Sequence, residues 1–149
     1  MLKNGEATYT LPKTKFENYD FSFSGIKTAV INIAHKEKES LRIADMCASF
    51  ENTVCEELTQ NTIRAMKDNN IDKVVLAGGV SANRLLRKMV QEEAQKNGFK
   101  AYVPDLKYCT DNAAMVGCAA YYNFINNKAY NIEEKLDLNA KANLKIGSD

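Results

Sequence analysis

The stretch that most constrains the fold is an apolar run that ends in paired glycines and continues into a polar segment, from Lys73 to Arg84. Its residues, KVVLAGGVSANR, are typical of a strand, a tight turn and the start of a helix. Such a junction exposes backbone N–H groups and the positive end of a helix dipole, to which a phosphate or nucleoside can bind. Glycines also occur at such junctions for backbone reasons alone, so both interpretations stay open.

Composition and charge limit the class of protein. The chain has 149 residues, of which 45% are hydrophobic and 26% charged, and its formal net charge is +1. These values predict one globular domain with a sizeable core, and the charge predicts nothing about partners. The sequence contains no run of eighteen apolar residues and no secretion signal after Met1, so we expect no membrane and a cytoplasmic location.

Cysteine and histidine content narrows the possible chemistry. His35 is the only histidine, so this polypeptide alone cannot form a metal site or catalytic triad that needs two imidazoles. No CxxC pair is present, and the apolar helical context of the cysteines predicts free buried thiols rather than a zinc site or a disulfide framework. The four cysteines are Cys47, Cys55, Cys109 and Cys118.

The first half of the chain is predicted to contain one strand and two helices. Aromatic and polar residues alternate over Tyr19–Phe23, which predicts a short strand, and a helix is expected over about residues 25–36. A long helix should follow over about residues 41–68, with Ser40 as its N-cap. The helix could be broken once. The apolar stripe that should pack it on a sheet contains Ile43, Cys47, Phe50, Val54 and Leu58 and, less regularly, Ile63 and Met66.

The second half predicts a parallel strand–helix–strand unit and a final helix. Ser81 is expected to cap the helix after the Gly-Gly turn, Asn97 and Gly98 to end it, and Phe99–Val103 to form the next strand. The last helix follows residues 110–112 and ends at Asn126 and Asn127. Its predicted buried side contains Ala114, Met115, Cys118, Tyr121, Tyr122 and Ile125. The apolar residues of the tail, predicted to pack as an irregular strap, are Leu136, Leu138, Leu144 and Ile146.

Three polar clusters lie where ligands bind in open parallel sheets: residues 22–27, residues 78–83 and residues 110–112. Because the carboxyl ends of parallel strands share one edge, we expect the clusters to converge on one nucleotide-like cleft. Asn83 could bind a ribose or be an ordinary first-turn residue. Asp111 could bind a metal or a hydroxyl, or simply cap a helix. Ser24 and Lys27 could touch a phosphate, and the basic residues Arg84, Arg87 and Lys88 are explained equally well as a solvated helix face.

The same three clusters resemble the TsaD family, which makes N6-threonylcarbamoyladenosine in tRNA and was formerly called a glycoprotease. The matching residues are DFSFSGIKTAV, AGGVSANR and CTDNAAM, in that order, and LDLNA in the tail. The resemblance implies an α/β fold of the actin-like, sugar-kinase and Hsp70 ATPase (RNase H-like) type. Residues 1–149 would then be a single partial domain, the C-terminal part of that fold, with parallel strands flanked by helices and without the N-terminal lobe.

The resemblance also implies substrates, partners and site residues. The family transfers the threonylcarbamoyl group from threonylcarbamoyl-adenylate to N6 of the adenosine beside the anticodon of tRNA, with TsaB-like and TsaE-like partner proteins. Gly78 and Gly79 match its nucleotide-contacting loop, Asn83 its adenylate-binding asparagine and Asp111 a ligand of its iron or zinc. The family's HxxxH motif is absent here. We therefore expect a fragment that binds no metal tightly and is inactive alone, and no catalytic residue is identified beyond metal support.

Two other interpretations stay open. One is an ATP-binding, kinase-type relative of the same fold, against which the Asp111 motif argues. The other is a non-catalytic, nucleotide-binding or self-associating module, since a truncated sheet exposes unpaired edges and apolar faces. Protease activity is discounted because the chain has no HExxH motif and no nucleophile triad.

Overall fold

The computed structural model describes residues 5–14 and 16–128. The chain divides into two compact units, Met1–Thr110 and Asp111–Asp149. The helices and strands of the first unit are α1 (Ser24–Glu37), α2 (Ile43–Asp68), β1 (Lys73–Val75), α3 (Arg84–Lys96) and β2 (Lys100–Tyr102). The second unit contains α4 (Ala113–Ile125). In the described part of the chain, no helix has the length and apolar character needed to cross a membrane.

The strand–helix–strand prediction is confirmed. Strands β1 and β2 pair in parallel, with Lys73 opposite Lys100 and Val75 opposite Tyr102, and α3 forms the connection. Val74 and Ala101 turn inward and pack against buried residues of α2 and α3, whereas their strand neighbours are exposed. The core therefore lies on one face of the sheet. Its largest cluster of buried residues contains Cys55, Leu76, Leu86 and Val90.

The strand predicted over residues 19–23 is wrong. These residues form no strand, since the two described strands pair with each other and neither pairs with this segment. Its aromatic side chains make other contacts instead. The rings of Phe21 and Phe23 stack with centroids 6.0 Å apart, and the Tyr19 ring lies 5.3 Å from the guanidinium of Arg64.

Helix α2 forms without a break, and Ile63 and Met66 of the predicted stripe are buried, but the first half of the helix buries polar residues instead. Ile43, Cys47 and Phe50 are exposed, while several polar side chains of the helix are buried. The reason is the segment before α1, whose backbone binds α2. Glu6 N donates to Asp45 Oδ1 at 3.0 Å, and Tyr9 N donates to Ser49 Oγ at 2.9 Å. The spacing of apolar residues cannot predict a helix face whose polar side chains are buried by hydrogen bonds to another segment.

The beginnings of the helices also differ from the sequence prediction. Helix α1 forms as expected and buries Ile26 completely. Ser40 does not cap α2, because it ends a 3₁₀ turn and its hydroxyl donates to Glu37 O at 2.8 Å. Helix α2 instead begins after Arg42, which makes no side-chain cap.

In the second unit, Asn112 rather than Asp111 is the N-cap of α4, and its Oδ1 accepts from Met115 N at 2.9 Å. The helix ends at Asn126 and Asn127, as predicted. None of its residues is buried, so the predicted buried side is wrong. The predicted strap of the tail falls outside the described residues.

Candidate nucleotide-binding site

The Gly-Gly turn connects β1 to α3. Gly78 has φ 80° and ψ 173°, a conformation that side chains strongly disfavour, so the turn requires glycine there. Gly79 begins a 3₁₀ turn, Gly79–Ala82, without a positive φ. A Cβ atom at Gly79 would have no heavy atom within 4 Å. The chain's own packing therefore does not demand glycine at this second position, and the space beside it is open.

Ser81 closes this turn and does not cap α3 as predicted. Its hydroxyl donates to Gly78 O at 2.6 Å, and its backbone N–H donates to the same oxygen at 3.0 Å. Ser81 itself is buried, so the hydroxyl stabilises the turn from its inner side. The turn is therefore held in one shape while Gly78 and Gly79 stay exposed.

Asn83 is the N-cap of α3, one position before the helix, and not a residue inside it as the sequence suggested. Its Oδ1 accepts from Leu86 N at 2.9 Å. Its Nδ2 donates to Glu51 Oε1 at 2.7 Å. The Cys55 thiol also lies 3.7 Å from Oδ1. The side chain thus has a structural role, and its carboxamide is presented at the end of the turn.

The Cys55 thiol stays protonated at neutral pH. Burial, and next the negative charge of Glu51, raise its pKa to about 11, although a hydrogen bond with the backbone of Leu86 acts in the opposite direction. A thiol in this state is a poor nucleophile. The cysteine prediction is half right, because all four thiols are free but Cys47 and Cys118 are exposed.

Arg87 ties the Gly-Gly turn to the segment after β2. Its Nε donates to Ser81 O at 2.5 Å and its Nη2 to Pro104 O at 2.6 Å. The same Nη2 lies 3.0 Å from the sulfur of buried Cys109. Its guanidinium is therefore a structural clamp, unlike the exposed side chains of Arg84 and Lys88, which fit the predicted solvated face.

Ser24 and Lys27 lie in the first turn of α1, and both are exposed. Phe23, the residue before the helix, lines an apolar groove of about 460 Å³ together with Val80 and Ser81. Phe23, a residue of the first polar cluster, therefore lines the same groove as residues of the turn after Gly78 and Gly79. Whether Ser24 and Lys27 touch the same ligand stays a prediction.

Asp111 is exposed and begins the second unit. Since Asn112 caps α4, the explanation of Asp111 as the helix cap is excluded. Among residues 5–14 and 16–128, no group of three or more His, Cys, Asp or Glu side chains could hold a metal ion. The described residues therefore do not fit an iron or zinc ion by themselves.

Glu51 belongs to none of the three polar clusters of the sequence. A weak signal was present, since Glu51 and Cys55 are four residues apart and lie on one face of the predicted long helix. Their common contact with Asn83 depends on how α2 packs against α3. Spacing along the sequence does not give that packing.

Comparison with known proteins gives a consistent set of relatives. A family model described as TsaD, tRNA N6-adenosine threonylcarbamoyltransferase, matches residues 1–118. A protein of that name from Clostridium botulinum strain Kyoto is 41% identical over 150 residues, covering 97% of this chain and 43% of the relative. The Clostridioides difficile protein is 41% identical over 152 residues, covering 98% of this chain and 44% of the relative. The Clostridium perfringens strain SM101 protein is 45% identical over 141 residues, covering 91% and 40%. The chain thus spans less than half the length of these relatives.

Proposed function

Because this chain belongs to the TsaD family, we propose that it supplies one wall of the adenylate pocket of a tRNA-modifying transferase. The intact enzyme would move the threonylcarbamoyl group from threonylcarbamoyl-adenylate to N6 of the adenosine beside the tRNA anticodon. The observation that carries this proposal is the open turn at Gly78 and Gly79, followed directly by the carboxamide of Asn83. This arrangement suits close approach of a nucleotide to the backbone.

Each candidate residue has a role in the proposed enzyme. The backbone at Gly78 and Gly79 would lie against the adenylate, and the Asn83 carboxamide would hydrogen-bond its ribose or a carbonyl. Ser24 and Lys27 would stand near its phosphate. Asp111 would provide one ligand of an iron or zinc ion whose remaining ligands come from another part of the enzyme. We expect no tight metal binding and no transfer activity from this chain alone.

The proposed partners follow from the family. They are tRNA as the acceptor substrate, and TsaB-like and TsaE-like proteins as assembly partners, in the cytoplasm. A second candidate function, self-association, is supported by α4, whose thirteen residues include no charged side chain and no buried one. Exposed apolar helices of this kind mark interaction surfaces. Sedimentation velocity separates this candidate from the first, because self-association needs no nucleotide.

The proposal is tested by titrating the chain with AMP, observed by NMR. We expect resonance shifts at Gly78, Gly79 and the Asn83 side chain. The variant Gly79→Val should weaken AMP binding by about tenfold, the equivalent of roughly 1.4 kcal/mol, because its side chain fills the ligand's space. The matched control is Gly117→Val in α4, where an added Cβ also meets no atom within 4 Å. Equal AMP affinity for Gly79→Val and the unchanged chain would contradict the proposal.

A further inference from the structure

Glu51 is the side chain through which α2 reaches the candidate nucleotide-binding residue. Its Oε1 accepts from Asn83 Nδ2 at 2.7 Å, although the two residues are 32 positions apart. The oxygen of the same carboxamide, Oδ1, accepts from Leu86 N at 2.9 Å and lies 3.7 Å from the Cys55 sulfur. Donors therefore surround the oxygen of this amide, and an acceptor meets its nitrogen.

This pattern allows one orientation of the Asn83 carboxamide. A 180° flip would place Nδ2 against the N–H of Leu86 and Oδ1 against the carboxylate of Glu51. Both contacts would pair groups of the same hydrogen-bonding type, so the flipped amide would lose its hydrogen bonds.

An Asn amide nitrogen carries two N–H groups. Glu51 accepts from one of them, so the second can donate to a ligand. A ligand contact of this kind depends on direction, because hydrogen bonds weaken steeply as their angle closes. A carboxylate that fixes the amide plane would therefore strengthen binding without touching the ligand.

We propose that Glu51 is a positioning residue for nucleotide recognition, which holds the Asn83 carboxamide so that its second N–H donates to the adenylate. This inference rests on the proposed function, since it requires Asn83 to bind a nucleotide. Glu51 is exposed on α2, so its replacement leaves the core intact. Glu51 acts through Asn83 and takes no part in the chemical step.

The test compares Glu51→Ala and Glu51→Gln in the same chain. We expect Glu51→Ala to weaken AMP binding by about three- to tenfold, the usual effect of one lost hydrogen bond. It should also shift the Asn83 side-chain amide resonances and speed their hydrogen exchange. Glu51→Gln keeps an acceptor oxygen, so its AMP affinity should stay within about twofold of the original. The matched control is Glu92→Ala, which removes an exposed carboxylate of α3 that forms an ion pair of 3.9 Å with Lys88.

Each other outcome overturns a specific part of the inference. Unchanged Asn83 amide resonances in Glu51→Ala would show that Glu51 does not position the amide. Equal loss of AMP affinity in the Ala and Gln variants would mean that Glu51 acts by its charge, which also contradicts positioning. If the chain binds no AMP but the Asn83 amide responds to Glu51→Ala, the proposed function fails and Glu51 is a structural contact only.

Discussion

Helices α3 and α4 have the same length and begin in the same way, but they differ in how much of each helix is buried. Each has 13 residues and an asparagine N-cap. The cap oxygen accepts from the backbone N–H three positions later at 2.9 Å in both helices, from Leu86 in one and from Met115 in the other. Yet α4 buries no residue, whereas α3 buries Leu86, Val90 and Ala94.

The difference shows that a cap defines where a helix begins but not whether the helix is packed. Helix α3 lies against α2 and the sheet, and Arg87 clamps the turn that precedes it. Helix α4 is the more apolar of the two, and Phe124 remains 71% exposed. Asn83, the capping asparagine of α3, also donates to Glu51 of α2. The same residue therefore caps its own helix and joins it to a second one. Amide hydrogen exchange compares the stability of the two helices directly.

The largest effect is expected for Arg87→Ala, which removes the clamp on the turn before α3. Two carbonyl oxygens, of Ser81 and Pro104, would lose a charged donor, at a cost of about 3 kcal/mol in the free energy of unfolding of the first unit. Chemical denaturation and hydrogen exchange of the α3 amides measure this loss. The control is Arg84→Ala, an exposed arginine of the same helix, which should change stability by less than about 0.5 kcal/mol. Similar results for both variants would show that the clamp does not stabilise the turn.

A smaller effect distinguishes the two caps. Asn112→Ala should destabilise α4 by about 1 kcal/mol, the usual value of an N-cap. Asn83→Ala should cost roughly twice as much, about 2 kcal/mol, because it also removes the hydrogen bond to Glu51. Asn83→Ser keeps a capping oxygen and should recover about half of that loss. The protection of each helix against hydrogen exchange measures these values. A loss of only about 1 kcal/mol for Asn83→Ala, the value of the cap alone, would mean that the contact with α2 adds nothing.

The smallest effect concerns α2, the helix that supports α3. Glu57 is 6% exposed, and neither of its carboxylate oxygens has a hydrogen-bond partner. Burial raises its pKa, against an opposing effect of Lys13, so its ionised form destabilises the folded state. Glu57→Gln should therefore stabilise the first unit by about 1 kcal/mol at pH 7. This difference in the free energy of unfolding should shrink as the pH falls below the raised pKa of Glu57 and close below the ordinary glutamate pKa of ~4.3, because the original side chain is then neutral in both states. Thermal unfolding at pH 7 and pH 4 measures the difference.

The adjacent residue provides a control of opposite sign. The hydrogen bond from Lys13 lowers the pKa of Glu56, so its ionised form stabilises the folded state above the ordinary glutamate pKa. Glu56→Gln should lose that contribution at pH 7. The loss should stay below about 0.5 kcal/mol, because the ion pair is partly exposed and screened by solvent. A stabilising effect of both variants would show that burial does not explain the behaviour of Glu57.

Elements with a strong local signal could be predicted from the sequence. The apolar run into Gly78 and Gly79, the stop at Gly98 and the crossover between the strands follow from turn chemistry and periodicity. The predictions that failed depend on neighbours. The segment over residues 19–23 has the alternation of a strand but pairs with neither described strand. Asp45 and Ser49 look like solvent-facing positions and are buried by hydrogen bonds to a segment about 40 residues away.

The candidate site divides in the same way. The sequence alone determined that a glycine turn and Asn83 lie between a strand and a helix, because only three residues separate Gly79 from Asn83 in the chain. The tertiary structure alone decided that the Asn83 carboxamide meets Glu51, that Arg87 is a clamp and not a solvated charge, and that Gly79 has open space beside it. Hydrogen-bond direction and free volume depend on how helices pack across long separations in sequence, and no local pattern encodes them.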